Sequence, residues 1–269
     1  MSIHPTAIIH PGAEVHEKAI VGPFCIVEDR VVLGEGSHLH SHVVLHSGAK
    51  LGKNNQIYQG ASLGGIPQDL SFKPEMETEL IIGDGNTIRE GAIFHRGTKK
   101  ETPTTIGNNN YLMGNMHIAH DVKMGNHNIV VQNSIIAGVV EIGSYVFISG
   151  LVAIHQFAKV GDYAMLAGCS KIVKDVPPFS TIDGNPATVI GLNSVGLKRA
   201  GLAPETRAAI KSAYKIIYHK GLNIKQALAE LKSMHSSLPE IQYIISFFEK
   251  SKRGVTAHRK IGSGSDADE

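Results

Sequence analysis

The segment NMHIAHD, Asn115 to Asp121, sets two histidines three positions apart and follows the second with an aspartate. Three roles fit those residue types. Two imidazoles can ligate a metal. A histidine beside a carboxylate can act as a general base whose tautomer the carboxylate holds. Both can also be polar surface residues. The frame that carries them decides among the three.

That frame is periodic. Apolar residues recur at every sixth position from Ile3 through Ile9, Val15, Val21, Val27, Leu33, Leu39, Leu45, Leu51 and Ile57 to Leu63, then at Ile82, Ile88 and Phe94. The period resumes at Ile106, Leu112, Ile118, Met124, Val130 and Ile136 and continues to Ile172. A small or β-branched residue often follows four places later, as at Ala7, Ala19, Ser37, Ala61, Ser134 and Val146. Six fits neither a helix nor a long strand. It fits a solenoid of short strands, each giving inward side chains before the chain turns. Glycines at Gly107, Gly125, Gly143 and Gly161 recur every eighteen residues, so three hexads make one triangular coil. Residues eighteen apart then stack about 4.8 Å apart.

Two segments break the period and read as extruded loops, near 64–81 and near 97–105. Loops of this kind often carry function. The solenoid is expected over 1–191. A helical region follows over 192–261, with Pro204 opening one helix and KQALAELKSM and EIQYIISFFEK forming two more, and GSGSDADE at 262–269 reads as a disordered tail.

The coil map separates the histidines. His4, His10, His16, His40, His46, His95 and His155 each follow an inward apolar residue, at a corner that tolerates polar groups. The cluster HLHSHVVLH is not expected to bind metal, because residues six apart lie on different faces. His117 and His120 need another explanation. One coil beyond His120 stands Gly138 and two coils beyond stands Gln156, while the adjacent column reads Ala119, Ala137, His155. An outward histidine beside a glycine, whose N–H can be approached closely, is what acyl transfer requires: a base for the nucleophile and a donor for the oxyanion. Asp121 is positioned to hold the imidazole tautomer.

Composition narrows the class further. The chain has 269 residues, 42% of them hydrophobic and 19% charged, as in folded globular proteins. No apolar run is long enough for a membrane span and the start lacks a signal-peptide pattern, so a cytoplasmic protein is expected. Cys25 and Cys169 are far apart and form no metal-like cluster. Residues 192–261 carry thirteen Lys and Arg against four Glu, about +9, which points to an acidic partner. No nucleic-acid role, metal or cofactor is expected.

Ordered motifs add a resemblance. The hexads resemble those of hexapeptide-repeat acyltransferases, which fold as left-handed parallel β-helices. QDL at Gln68 to Leu70, HRGT at His95 to Thr98, HIAHD at His117 to Asp121, HQF at His155 to Phe157, GCS at Gly168 to Ser170, DVPP at Asp175 to Pro178 and GLKR at Gly196 to Arg199 follow one another in order. Together they resemble the UDP-N-acetylglucosamine acyltransferases of lipid A synthesis over almost the whole chain. The resemblance implies transfer of an (R)-3-hydroxyacyl chain from acyl carrier protein to the 3-position of a UDP-sugar, by a homotrimer with its sites between subunits. It implies that His120 is the base, with Asp121 beside it, and that Gly138 donates to the oxyanion. It places Gln68, Asp69, His95, His117, His155, Gln156, Asn193 and Arg199 in the substrate site, and Gly168 where it limits acyl depth. A glycine there implies a chain of about twelve to fourteen carbons.

The chain departs from the family pattern at Ser71, Val139 and Ala200, around the sugar and phosphates rather than at His120. The acceptor group, a 3-hydroxyl or a 3-amine, therefore stays open. The related N-acyltransferases carry an added N-terminal domain, whereas these hexads begin at Ile3. Coenzyme A-dependent hexapeptide acetyltransferases share the repeat but not the ordered motifs. A zinc carbonic anhydrase needs three convergent histidines, which the columns do not supply. A non-catalytic structural β-helix leaves His120, Asp121 and Gly138 in one place unexplained.

Overall fold

A computed structural model describes residues 2–234 and 238–259. The expected tail over 262–269 lies outside the described residues. Most hexads form a two-residue strand followed by a turn, and the inward residues from Val21 to Ile172 are buried. The turn closes because one corner residue adopts the left-handed backbone region. Asn109, Asn115, Asn133 and Asp121 do so with φ of 55–60°, a conformation in which a short polar side chain is tolerated.

The strands stack into three sheets of eleven, nine and eight strands among the described residues, parallel throughout except for the last pair of the eleven-stranded sheet. His117–Ile118 pairs with Ile135–Ile136, which pairs with Ala153–Ile154. Residues eighteen apart are therefore neighbours, and the chain winds as a left-handed parallel β-helix of about ten coils. Inside it, Asn55, Asn86, Asn110 and Asn128 form a buried ladder, each side-chain oxygen accepting from the next coil's backbone N–H at 2.8–2.9 Å. Those bonds occupy buried amide groups that would otherwise be costly.

The loops are shorter than the sequence suggests. Strand Ser62–Gly65 runs past Gly64, and strands Leu80–Ile82 and Thr104–Ile106 resume early, leaving 66–79 and 96–103 extruded. Thr104 is fully buried and pairs with Leu80, so it belongs to the wall although it breaks the apolar pattern.

At the C-terminal end an antiparallel pair, Ser180–Gly184 with Ala187–Leu192, closes the eleven-stranded sheet. Covering this edge removes a row of unpaired backbone groups. Helices α1 (Ser194–Arg199), α2 (Pro204–His219), α3 (Ile224–Met234) and α4 (Pro239–Lys250) follow. The described residues beyond α4, 251–259, are not helical: Val255 and His258 form bridges to Asp175 and Val189, back on the solenoid end. Tyr243 of α4 also accepts from the Asp162 N–H through its hydroxyl at 3.1 Å. That contact ties the helices to the last coils.

Candidate active site

His120 sits at a corner between the nine- and eight-stranded sheets. Ile118 and Val122, both fully buried, fix the backbone on either side of it. Asp121 occupies the left-handed turn position at φ 59°, and its own N–H donates to the Thr104 hydroxyl at 2.8 Å. Its carboxylate lies against His120, whose Nδ1 is 2.7 Å from Oδ2. Oδ2 also accepts from the Thr98 hydroxyl at 2.8 Å. Oδ1 accepts from the Thr98 N–H at 2.9 Å and the Thr102 hydroxyl at 2.7 Å. Burial alone would raise the Asp121 carboxyl, but hydrogen bonds from His120, Thr98 and Thr102 hold it below its ordinary value. A carboxylate can only accept, so His120 Nδ1 carries the proton and Nε2 is left as a base.

Gly138 lies one coil beyond. A Cβ there would stand 2.6 Å from His120 Cε1, 2.7 Å from Nε2 and 3.2 Å from Gln156 Nε2. The glycine thus clears the space that the imidazole ring uses. Neither Gly138 N–H nor the N–H at the equivalent corner of neighbouring coils has a protein acceptor among the described residues. At Gly138 that donor faces a corner with no side chain of its own.

The sequence pattern suggests an exposed histidine on a flat wall, but His120 is only 7% exposed. The extruded loops account for the difference. Asp69 on the first loop reaches to 4.0 Å from His120 Nε2. Its carboxylate accepts from the Ser71 N–H and hydroxyl at 2.8 and 2.7 Å, and these bonds hold it below its ordinary pKa. His95 donates from Nδ1 to the Ile66 carbonyl at 2.5 Å, and its ring lies 5.2 Å from that of His117. Burial lowers the pKa of both, with neighbouring histidines adding to the effect. Each is therefore neutral at pH 7 and offers an acceptor nitrogen rather than a charge. The His95 Nε2 is buried without a protein partner among the described residues.

The structure therefore brings together His120, Asp121, Gly138, Gln156, Asp69, His95 and His117. His155 is exposed on the same corner, beside Gln156, and Gln68 is exposed on the first loop. Three residues lie elsewhere on the chain. Gly168 is on the corner between the eleven- and nine-stranded sheets. Asn193 caps α1, accepting from the Gly196 N–H and donating to the Tyr163 carbonyl on the third corner. Arg199 ends α1 in an open basic groove with Lys198 and Arg207. The threonines that hold Asp121 are missing from the sequence-based set. Thr98 stands inside the HRGT motif, but Thr102 sits in a stretch without periodicity and carries no signal.

A parallel β-helix with a His–Asp pair on one corner and a bare glycine amide one coil beyond defines a hexapeptide-repeat acyltransferase. The chain is 43% identical over 258 residues to the acyl-[acyl-carrier-protein]–UDP-N-acetylglucosamine O-acyltransferase of Burkholderia mallei, covering 94% of this chain and 98% of that one. It belongs to the UDP-N-acetylglucosamine O-acyltransferase family. Residues 175–256 match the family described as Udp N-acetylglucosamine O-acyltransferase, domain 2. The UDP-N-acetylglucosamine acyltransferase of Francisella novicida superposes with a TM-score of 0.93 at 37% identity, over 99% of this chain and 100% of that one. The Acinetobacter baumannii structure gives 0.91 at 44% identity, over 94% and 99%.

Proposed function

We infer that this chain transfers an (R)-3-hydroxyacyl group from acyl carrier protein to the 3-position of UDP-N-acetylglucosamine, or of its 3-amino analogue, in the first step of lipid A biosynthesis. The observation that carries the reading is the His120–Asp121 pair with Gly138 against the imidazole, within a chain of this family. In this mechanism His120 Nε2 takes the proton of the acceptor group as that group attacks the thioester carbonyl. The Gly138 N–H meets the oxyanion of the tetrahedral intermediate. Collapse breaks the C–S bond, and the His120 imidazolium returns its proton to the departing thiolate. Asp121 on one side and Asp69 on the other stabilise that imidazolium. Neutral His95 and His117 accept hydrogen bonds from the sugar.

The reading includes a cyclic homotrimer and a cytoplasmic location. Gly168 lies on another corner of the coil, and Asn193 and Arg199 stand at the two ends of α1, so their contribution to the His120 site requires a neighbouring copy. Two outer faces suit such a neighbour. The nine-stranded face exposes Ile8, Ile26, Ile93 and Ile135, and the eleven-stranded face Ile20, Tyr111 and Ile129. The third outer face carries Glu14, Lys50, Lys123, Glu141 and Lys159, as a solvent-facing wall would. No described helix is long and apolar enough to cross a membrane. The basic α1–α2 surface suits an acidic carrier protein.

The test is a mass-spectrometric assay of purified protein with UDP-N-acetylglucosamine, its 3-amino analogue and a panel of hydroxyacyl carrier proteins. His120→Ala should lower kcat by roughly two decades or more. A folded His120→Ala protein with near-normal turnover would overturn the mechanism.

A further inference from the structure

Asp121 has no acceptor capacity left. A carboxylate offers about four lone-pair sites. Here they are met by His120 Nδ1, the Thr98 hydroxyl, the Thr98 N–H and the Thr102 hydroxyl, all at 2.7–2.9 Å. Both threonines belong to the 96–103 loop, which closes on itself through a bridge between Lys99 and Thr102. Gly97 is needed for that closure, because a Cβ there would lie 2.0 Å from the Thr102 carbonyl oxygen.

The loop is tied to the other extrusion. Gly97 and Thr104 both donate from N–H to the Glu79 carbonyl, at 3.0 and 3.2 Å. Arg96 donates to the Ser47 carbonyl at 2.7 Å and lies over the Phe72 ring. The charged and titratable groups facing His120 are then Asp121 at Nδ1, Asp69 near Nε2, and the neutral rings of His95 and His117. Among them Asp121 alone bonds to the ring.

We propose that Thr98 and Thr102 are positioning residues for the acyl transfer: by filling the Asp121 sites that His120 does not use, they fix that carboxylate on Nδ1 and keep Nε2 the free base. The proposal rests on the reading of His120 as the base. With either hydroxyl gone, the carboxylate gains a vacant lone pair and a reason to rotate toward solvent. The imidazole then loses its orienting partner, and the tautomer protonated on Nε2, which is useless as a base, becomes populated.

Thr102→Val removes one hydroxyl at nearly constant volume. The intact protein labelled with nitrogen-15 in histidine should show His120 as a single Nδ1–H tautomer, and as a mixture of tautomers in Thr102→Val. In the same variant kcat should fall roughly tenfold, the worth of one charge-assisted hydrogen bond, with KM for sugar and carrier unchanged. Thr102→Ser, which keeps the hydroxyl, should restore both. Wild-type tautomer and kcat in Thr102→Val would overturn the proposal, as would a loss of kcat without a tautomer change or a failure of serine to rescue. If Thr102→Val does not fold, Thr98→Val gives the same comparison, since its N–H donor remains. The tautomer readout is taken without substrate, so it judges the threonines even if His120→Ala proves active and the base reading fails.

Discussion

Replacing Gly138 by alanine adds one methyl group against the imidazole of His120, the proposed base. The backbone at Gly138 is outside the left-handed region, so alanine itself is acceptable there. The new Cβ, however, would stand 2.6 and 2.7 Å from two atoms of the His120 ring. Carbon contacts settle near 3.5–4.0 Å, so the ring has to retreat by about 1 Å. It cannot do so freely, because Nδ1 is held at 2.7 Å by a carboxylate that three other donors immobilise. Either that bond stretches or Nε2 swings off the line to the acceptor. A displacement of about 1 Å at a reacting centre costs roughly a hundredfold in rate. Gly138→Ala should therefore lower kcat roughly a hundredfold while thermal unfolding stays near wild type, because the strain is local. Steady-state turnover by mass spectrometry, paired with a melting curve, reads both quantities. A kcat within about twofold of wild type would show that the ring has room to move, and that close packing of base against glycine is not what sets the geometry.

Three further outcomes follow from the same structure. His95 and His117, like His38, have pKa values lowered mainly by burial. The unfolded chain thus binds more protons below about pH 6.5, and stability should be full above that value and fall as pH drops through the lower folded values. His95→Gln with His117→Gln should flatten the melting temperature between pH 7 and 5, and an unchanged slope would exclude these rings as the cause. Gly168→Met should fold normally, since a Cβ there meets only ordinary contacts, the nearest 3.5 Å away, and it should shift preference to an acyl chain several carbons shorter; an unaltered order of preference would place the chain elsewhere. Val139 holds a β-branched side chain at φ 60°, so Val139→Asn should stabilise the fold by about 1 kcal/mol, and a melting temperature at or below wild type would contradict that strain.

The solenoid was legible because its rule is local and repeated. A hexad needs no distant partner to declare which side chain turns inward, and a fixed eighteen-residue coil converts sequence separation into height. The coil map therefore puts His120, Gly138 and Gln156 in one column, and the 3.2 Å between a Gly138 Cβ and Gln156 Nε2 brings them together. The rule fails where the chain leaves the coil. Thr102 meets Asp121 across nineteen residues through a loop with no periodicity, and nothing in its neighbours marks it. The residues after α4 also depart from the helical expectation: VTAHR follows a helix, and only the solenoid's open edge makes it extended.

That division also explains why the extrusions are needed. The outer wall of a β-helix is a flat surface, and a flat surface leaves a histidine in water, where its bond to a carboxylate is weak. Coils cannot solve this by themselves, because each adds the same short outward side chains at the same pitch. Leaving the coil is the available route, and the chain does so in two consecutive turns, both at the corner that carries His120. One excursion brings Asp69 to 4.0 Å from Nε2, and the other surrounds Asp121 with hydroxyl and amide donors. Both are pinned at the Glu79 carbonyl, so the two carboxylates that flank the imidazole share one anchor.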